Sequence, residues 1–457
     1  MTQLIADALL NDPLFQKAKE DILVALDKYR QTITEVRPPQ TDLKLGYDEA
    51  TLQLGLWRGQ DLFYPYLGSG MGNGALVELA DGSVKYDFIS GIGTHWGHCH
   101  PQLAASSLDA GVQDICMQGN LQQNRDAYNL IDILIKQSGM DHCILSTSGA
   151  MANENALKLI FQKRAPAYRV LAFEKCFMGR TLALSQITDK PDFRQGLPHT
   201  LNVDYIPFYD WRDPKGSTER AVAILQACLR RYPGDHACMC FELIQGEAGA
   251  YPGKQEFFVA LLKILKEHGV VVFVDEVQSF ARTDHLFAFQ HFGLEEYVDV
   301  VSCGKILQAC ATLFLDSLRP KPGLISQTFT SSTSALRAGT AILTSLLEEG
   351  YFGLKGKNMT LRKQFVDRLQ RLSNTFPELI EGPFGYGLMI ACTPFKGDRA
   401  KALHFAHALY DAGLICFTAG ANPTRLRFLL PAGSVTLNDI DRAAQILENT
   451  LRDYVTR

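Results

Sequence analysis

The chain has 457 residues, 46% of them hydrophobic and 21% charged, an ordinary globular composition with room for two or three domains. A net charge of -4 gives no electrostatic case for nucleic-acid binding, and no apolar run reaches membrane-spanning length. The 11 cysteines are odd in number and scattered, which fits reduced thiols better than a disulfide framework. Met1 to Asp7 lacks a basic stretch followed by an apolar one, so a soluble cytoplasmic protein is expected.

A helical pattern opens the chain from Asp12 to Lys28, followed by a polar stretch around Pro38 and Pro39. Glycines then cluster from Gly68 to Gly74. No clean strand-helix unit flanks them, so a dinucleotide site is not expected there. Residues 75–80 and 84–88 read as a hairpin across Asp81-Gly82, a turn dipeptide. From about residue 100 to 340, amphipathic helices alternate with short apolar runs at 142–145, 169–173, 237–241, 270–274 and 298–301. That alternation implies an α/β fold with a mostly parallel sheet covered by helices. Cys238 and Cys240 alternate on one of these runs with the wrong spacing for a zinc knuckle, and core packing is expected. The last hundred residues return to an α+β mix. The expected divisions are an N-terminal segment 1–100, a large domain 101–345 and a smaller α+β domain 346–457.

Ligands of parallel sheets bind at the carboxyl ends of the strands. Two residues occupy that kind of position, Asp275 after one apolar run and Lys305 after the next. A lysine can form a Schiff base with an aldehyde cofactor. An aspartate can hold a pyridinium nitrogen protonated, so that the ring accepts electrons. Together they point to pyridoxal 5'-phosphate. Upstream, Ser148-Gly149-Ala150 stands between a strand and a helix, where free backbone N–H groups and the helix dipole suit a phosphate. His95, His98 and His100 invite a metal reading, but no carboxylate or second ligand cluster flanks them, and no metal site is expected.

Six segments, from the Gly97-His98-Cys99-His100-Pro101 turn to Gly304-Lys305, resemble the class III, or ω-amino-acid, branch of the fold-type-I pyridoxal-phosphate aminotransferases. The resemblance runs from about residue 75 to the C-terminus. It implies a seven-stranded sheet in a large domain and a smaller domain built from both terminal segments. In Gly149-Ala150-Met151-Ala152-Asn153-Glu154-Asn155 the wording is close to lysine 6-aminotransferases and 4-aminobutyrate aminotransferases, with (acetyl)ornithine aminotransferases also near. Ala150 and Met151 replace a hydroxyl and a glutamate of many relatives. Phe177-Met178-Gly179-Arg180-Thr181 is similar to the family's aromatic-His-Gly-Arg-Thr, with Met178 in place of histidine. By this register Phe177 stacks on the cofactor ring and Arg180 helps hold a distal substrate carboxylate. Asp275 binds the pyridine nitrogen, Gln278 sits near the ring hydroxyl, and Lys305 is the catalytic lysine. Thr330 reaches the phosphate of a neighbouring subunit, which implies a homodimer with shared active sites. Arg427 grips the α-carboxylate of glutamate or 2-oxoglutarate, with Arg425 its off-register competitor. Glu247 matches a switch residue that pairs with this arginine when an ω-amine is the donor.

The expected reaction carries the terminal amine of lysine, 4-aminobutyrate, ornithine or acetylornithine to 2-oxoglutarate. The rival readings are an aminomutase, racemase or decarboxylase of the same family, or a non-catalytic member.

Overall fold

The computed structural model describes residues 4–113, 119 and 121–456, without the side chains of 91, 92, 455 and 456. The chain divides into two compact units. The larger contains 115–359 and 384–389, and the smaller contains 1–114, 360–383 and 390–457. No helix among the described residues is long and apolar enough to cross a membrane.

Seven strands form the central sheet of the larger unit: β1 (His142–Ser146), β2 (Arg169–Phe173), β3 (Asn202–Ile206), β4 (His236–Phe241), β5 (Val271–Glu276), β6 (Val300–Cys303) and β7 (Cys310–Phe314). Their spatial order is β1-β7-β6-β5-β4-β2-β3. Strand β7 runs antiparallel to both its neighbours, while β6, β5, β4, β2 and β3 pair in parallel. The mostly parallel sheet therefore has one reversed strand. Every residue of β4, β5, β6 and β7 is buried, the pattern of a sheet covered on both faces. Cys238 and Cys240 belong to this core.

Strand β5 continues two residues past its apolar run, because Asp275 and Glu276 stay in ladder register with Ser302 and Cys303 of β6. Strand β6 starts later than the apolar pattern suggests. Asp299, just before it, spends its side chain accepting from the Val272 N–H at 2.8 Å and pairing with Lys266. The two strands thus end side by side.

In the smaller unit the glycine cluster forms an edge strand, Gly68–Asn73, paired with the predicted hairpin of Leu76–Leu79 and Val84–Asp87. A second sheet contains Arg425–Leu429 flanked by Phe417–Ala419.

On the far side of the central sheet, Asp204 of β3 binds Arg169 of β2 through two hydrogen bonds of 2.8 Å and lies 2.8 Å from His236 of β4. The Arg169 guanidinium stacks on Tyr232. This network ties three strands through one mostly buried carboxylate. Replacing Asp204 by Asn leaves the arginine short of its counter-charge, and we expect a loss of about 3 kcal/mol. Urea unfolding monitored by far-UV circular dichroism checks it; an unchanged midpoint would contradict the assignment.

Candidate active site

Lys305 follows β6 by two residues and takes a φ of +49°. A lysine in the left-handed region costs on the order of 1 kcal/mol. Three features hold it there. Gly304 lies so close to Cys310 that an added Cβ would meet the Cys310 sulfur at 2.6 Å. Lys305 through Leu307 form a single short helical turn. Cys310 then starts the reversed strand β7.

Asp275 is at the end of the neighbouring parallel strand and is buried. Its Oδ2 accepts from Asn153 Nδ2 at 2.7 Å, and its Oδ1 accepts from the Val277 N–H at 2.8 Å. Burial raises its proton affinity above the ordinary carboxylate value. The Asn153 hydrogen bond, the Val277 N–H and the nearby charge of Lys305 offset that only in part.

Helix Gly149–Arg164 supplies Asn153 and begins at the third element of the site. Ser148 caps it by accepting from the Met151 N–H. Gly149 is needed here because a Cβ would lie 2.6 Å from Val277, the residue just past β5. The helix start and the strand end are thereby packed into direct contact. Met178 is buried in the apolar core, with Ala150 packed on the same cluster. Its carbonyl accepts the second hydrogen bond from Asn153.

Glu242 ties two further loops together. Its carboxyl group accepts from the Phe177 N–H at 2.9 Å and the Gly246 N–H at 3.0 Å. Burial, reinforced by the neighbouring Asp275, pushes it up to about 8. Gln278 packs so tightly on Gly246 that any Cβ there would overlap its side-chain amide. Phe177 meets Phe193 edge-on at 6.2 Å, and the exposed Arg180 lies 3.9 Å over the Phe193 ring. Glu247 pairs with Lys190 at 2.8 Å. Thr330 is buried and lines a small cavity with Gln123, Ala127, Ile144 and Leu145.

The larger unit thus brings Asp275, Lys305, Gln278, Phe177 and the 148–150 helix start into one framework of contacts. Sequence reasoning gave no role to Asn153, Glu242 or Lys190. The signal for Asn153 was an amide one helical turn after the phosphate-type turn; Lys190 had none. Arg425 and Arg427 are buried in the smaller unit on one strand, with Arg427 near the Phe417 ring. The three early histidines, also in the smaller unit, do not converge. His98 is 3.1 Å from Asp87, and His100 stacks on Trp96.

The model of the class-III aminotransferase family matches residues 67–451. The chain belongs to that family. It is similar to the acetylornithine aminotransferase of Synechocystis sp., 30% identical over 404 residues, with 84% of this chain and 89% of that one covered. The acetylornithine aminotransferase of Archaeoglobus fulgidus is 29% identical, over 83% and 94% of the two chains. Among solved structures, a lysine aminotransferase from M. tuberculosis has a TM-score of 0.77 at 21% identity, covering 88% of this chain and 99% of that one. An aminotransferase from Bacillus anthracis has a TM-score of 0.80 at 18% identity, over 91% and 99%. Both share the fold.

This is a pyridoxal-phosphate-dependent transaminase. The residues present fit that cofactor. Asp275 is a buried carboxylate whose hydrogen bonds and neighbouring Lys305 only partly offset its burial, so the donor set suits a cofactor that brings positive charge. Removing the Asn153 amide should weaken that arrangement without touching the lysine. For Asn153→Ala we expect cofactor affinity to fall by about 10- to 100-fold, the equivalent of one buried hydrogen bond to a charged group. Absorbance titration of the stripped protein with pyridoxal phosphate measures it. Wild-type affinity in the variant would show that Asn153 does not support Asp275.

Proposed function

We propose that this chain moves the terminal amino group of an ω-amino acid to 2-oxoglutarate, giving glutamate and a semialdehyde. The observation that carries the reading is the adjacency of a buried carboxylate, Asp275, and Lys305 at the ends of two paired parallel strands. Lys305 and Asp275 would hold the cofactor at its two reactive positions. The N–H groups of residues 149 and 150, with Ser148, would take its phosphate. Phe177 would cover one face of its ring and exclude water, and Gln278 would stand at its edge.

When bound, the cofactor supplies a ring that accepts the electron pair left when the amine-bearing carbon loses a proton. Lys305 Nζ, once released from the cofactor by the incoming amine, would be the group that takes up and gives back that proton, as base and then as acid. Asp275 would face the ring nitrogen and favour its protonated form. Asn153 and the Val277 N–H keep its carboxylate fixed.

Arg180, stacked over Phe193, is proposed to receive the distal carboxylate of the donor. Arg427 is proposed to bind the α-carboxylate of glutamate or 2-oxoglutarate. Thr330 is proposed to act across a homodimer, toward the phosphate of the neighbouring subunit. The names of the sequence relatives weight the donor toward acetylornithine. The motif wording around Asn153 tilts it toward lysine or 4-aminobutyrate. A panel of these four amines, added to the purified enzyme without any keto acid, separates them. The true donor bleaches the visible band of the bound cofactor, and 2-oxoglutarate restores it. A band that no ω-amine bleaches would overturn the proposal in favour of a racemase or mutase.

Glu247 is proposed to set the balance between donors. A carboxylate at this position attracts an amine and repels a second carboxylate, and Lys190 holds it in place. For Glu247→Ala the ratio of kcat/KM for the ω-amine to that for glutamate should fall by about tenfold. An unchanged ratio would remove Glu247 from the specificity machinery.

A further inference from the structure

The larger unit carries a second cluster of ligand-type side chains. Asp284 and His285 are adjacent in sequence, and His291 follows six residues later at the end of the short helix Ala288–His291. One potential ligand atom from each lies within 4.8 Å of the other two, and this is the only group of three or more such residues among those described. His291 Nδ1 is 2.7 Å from Asp284 Oδ1, and His285 Nδ1 is 3.5 Å from the same oxygen.

The surrounding backbone is rigidly held. The Ala281 N–H donates to Leu286 O at 2.7 Å, closing the loop that presents Asp284 and His285. Asn358 donates to the carbonyls of Ala281 and Thr283. Thr283 Oγ1 donates to His285 O and accepts from the His285 N–H. The Gly353 N–H donates to Asp284 O at 2.7 Å. The Tyr386 hydroxyl donates to Asp284 Oδ1 at 3.3 Å, and its ring stacks on His291 at 4.2 Å. Asp284 is thus fixed on its main chain and its carboxylate, and His291 on its ring face. The carboxylate is 6% exposed, whereas the His285 side chain is 49% exposed, so the cluster is open to solvent at His285.

We propose that Asp284, His285 and His291 form a binding site for a zinc-type divalent ion, with the fourth position open to solvent. Two imidazoles and one carboxylate make a three-ligand set of the kind zinc accepts beside an open position. Two nitrogens and no thiol disfavour both magnesium, which prefers oxygen, and the soft monovalent metals. Ligand atoms on a tetrahedral zinc ion stand about 3.3 Å apart. The His285 contact already has nearly that spacing. The Asp284–His291 contact must open by about 0.6 Å as the ion replaces the hydrogen-bonded proton. Lys254 acts on His291 electrostatically and opposes the ion, while Asp284 provides the compensating charge. Tyr386 serves as the outer partner that orients the carboxylate, the role such groups play around bound metals.

The test uses the full-length holoenzyme, stripped of metal with a chelator and kept loaded with cofactor. Zn2+ alone is titrated by calorimetry, and Co2+ serves as a visible reporter of nitrogen-oxygen coordination. One ion should bind per chain and raise Tm. His285→Ala, at a half-exposed position, should fold normally and weaken binding by about 100-fold or more. His291→Gln is the second variant and should give the same loss. If wild type binds no stoichiometric ion, the cluster is only a hydrogen-bonded brace for its loop and the proposal fails. It also fails if both variants bind as wild type does, which would assign the ion to the cofactor or to a thiol. Neither result depends on which amine the enzyme uses.

Discussion

A carboxylate removed from water must be given hydrogen bonds and positive charge, and Asp275 is where that demand organises the larger unit. It draws Asn153 from the helix that begins at Gly149, the Val277 N–H from its own chain, and the charge of Lys305 from the next strand. These contacts fix three segments that are remote in sequence. The helix start cannot move away from the end of β5, because Gly149 is packed against Val277. Lys305 cannot relax out of its left-handed conformation without disturbing Cys310 and the start of β7. The cost of an incompletely offset carboxylate is what would make the framework receptive to the positively charged ring nitrogen proposed to face Asp275.

Around that centre lies a second set of ties that position the proposed substrate-facing groups. Glu242 joins the Phe177 loop to the Gly246 turn through two backbone N–H groups. The Gly246 turn in turn packs on Gln278 and carries Glu247. Phe193 supports both Phe177 and Arg180. The Phe177 loop and the Gly246 turn are thus backed by the buried Glu242, and Arg180 by the half-buried Phe193. Such support is what holds reacting groups to the fraction of an ångström that catalysis needs.

Much of this was legible in the sequence, for reasons that differ by element. Strands β1, β2, β4, β5 and β6 announce themselves as buried apolar runs, and Asp275 and Lys305 stand out because each follows one. Strand β3 was missed because Asn202 and Asp204 break its apolar pattern, Asp204 being committed to Arg169 and His236. Strand β7 was missed because it begins only five residues after Lys305 and runs backward, which no local pattern encodes. Asn153 was visible as part of a motif, yet its partner is 122 residues away and its role depends on tertiary packing. Met178 reads in the sequence as a departure from the family's histidine. The fold gives it another task, since its side chain fills the core and only its carbonyl meets Asn153. The Lys190–Glu247 pair and the cluster at Asp284 both depend on loops and single helical turns too short to leave a periodic trace.

The most direct test of the central account is the rate of deuterium exchange at the amine-bearing carbon of the donor in Asp275→Asn, measured by NMR at saturating pyridoxal phosphate. The variant keeps the shape and loses the charge. Exchange slowed by about 100-fold or more, with the lysine-bound cofactor still visible in the absorbance spectrum, is the predicted result. Exchange at the wild-type rate would mean that the Asp275 carboxylate does not govern the chemistry, and the account built on its burial would be wrong.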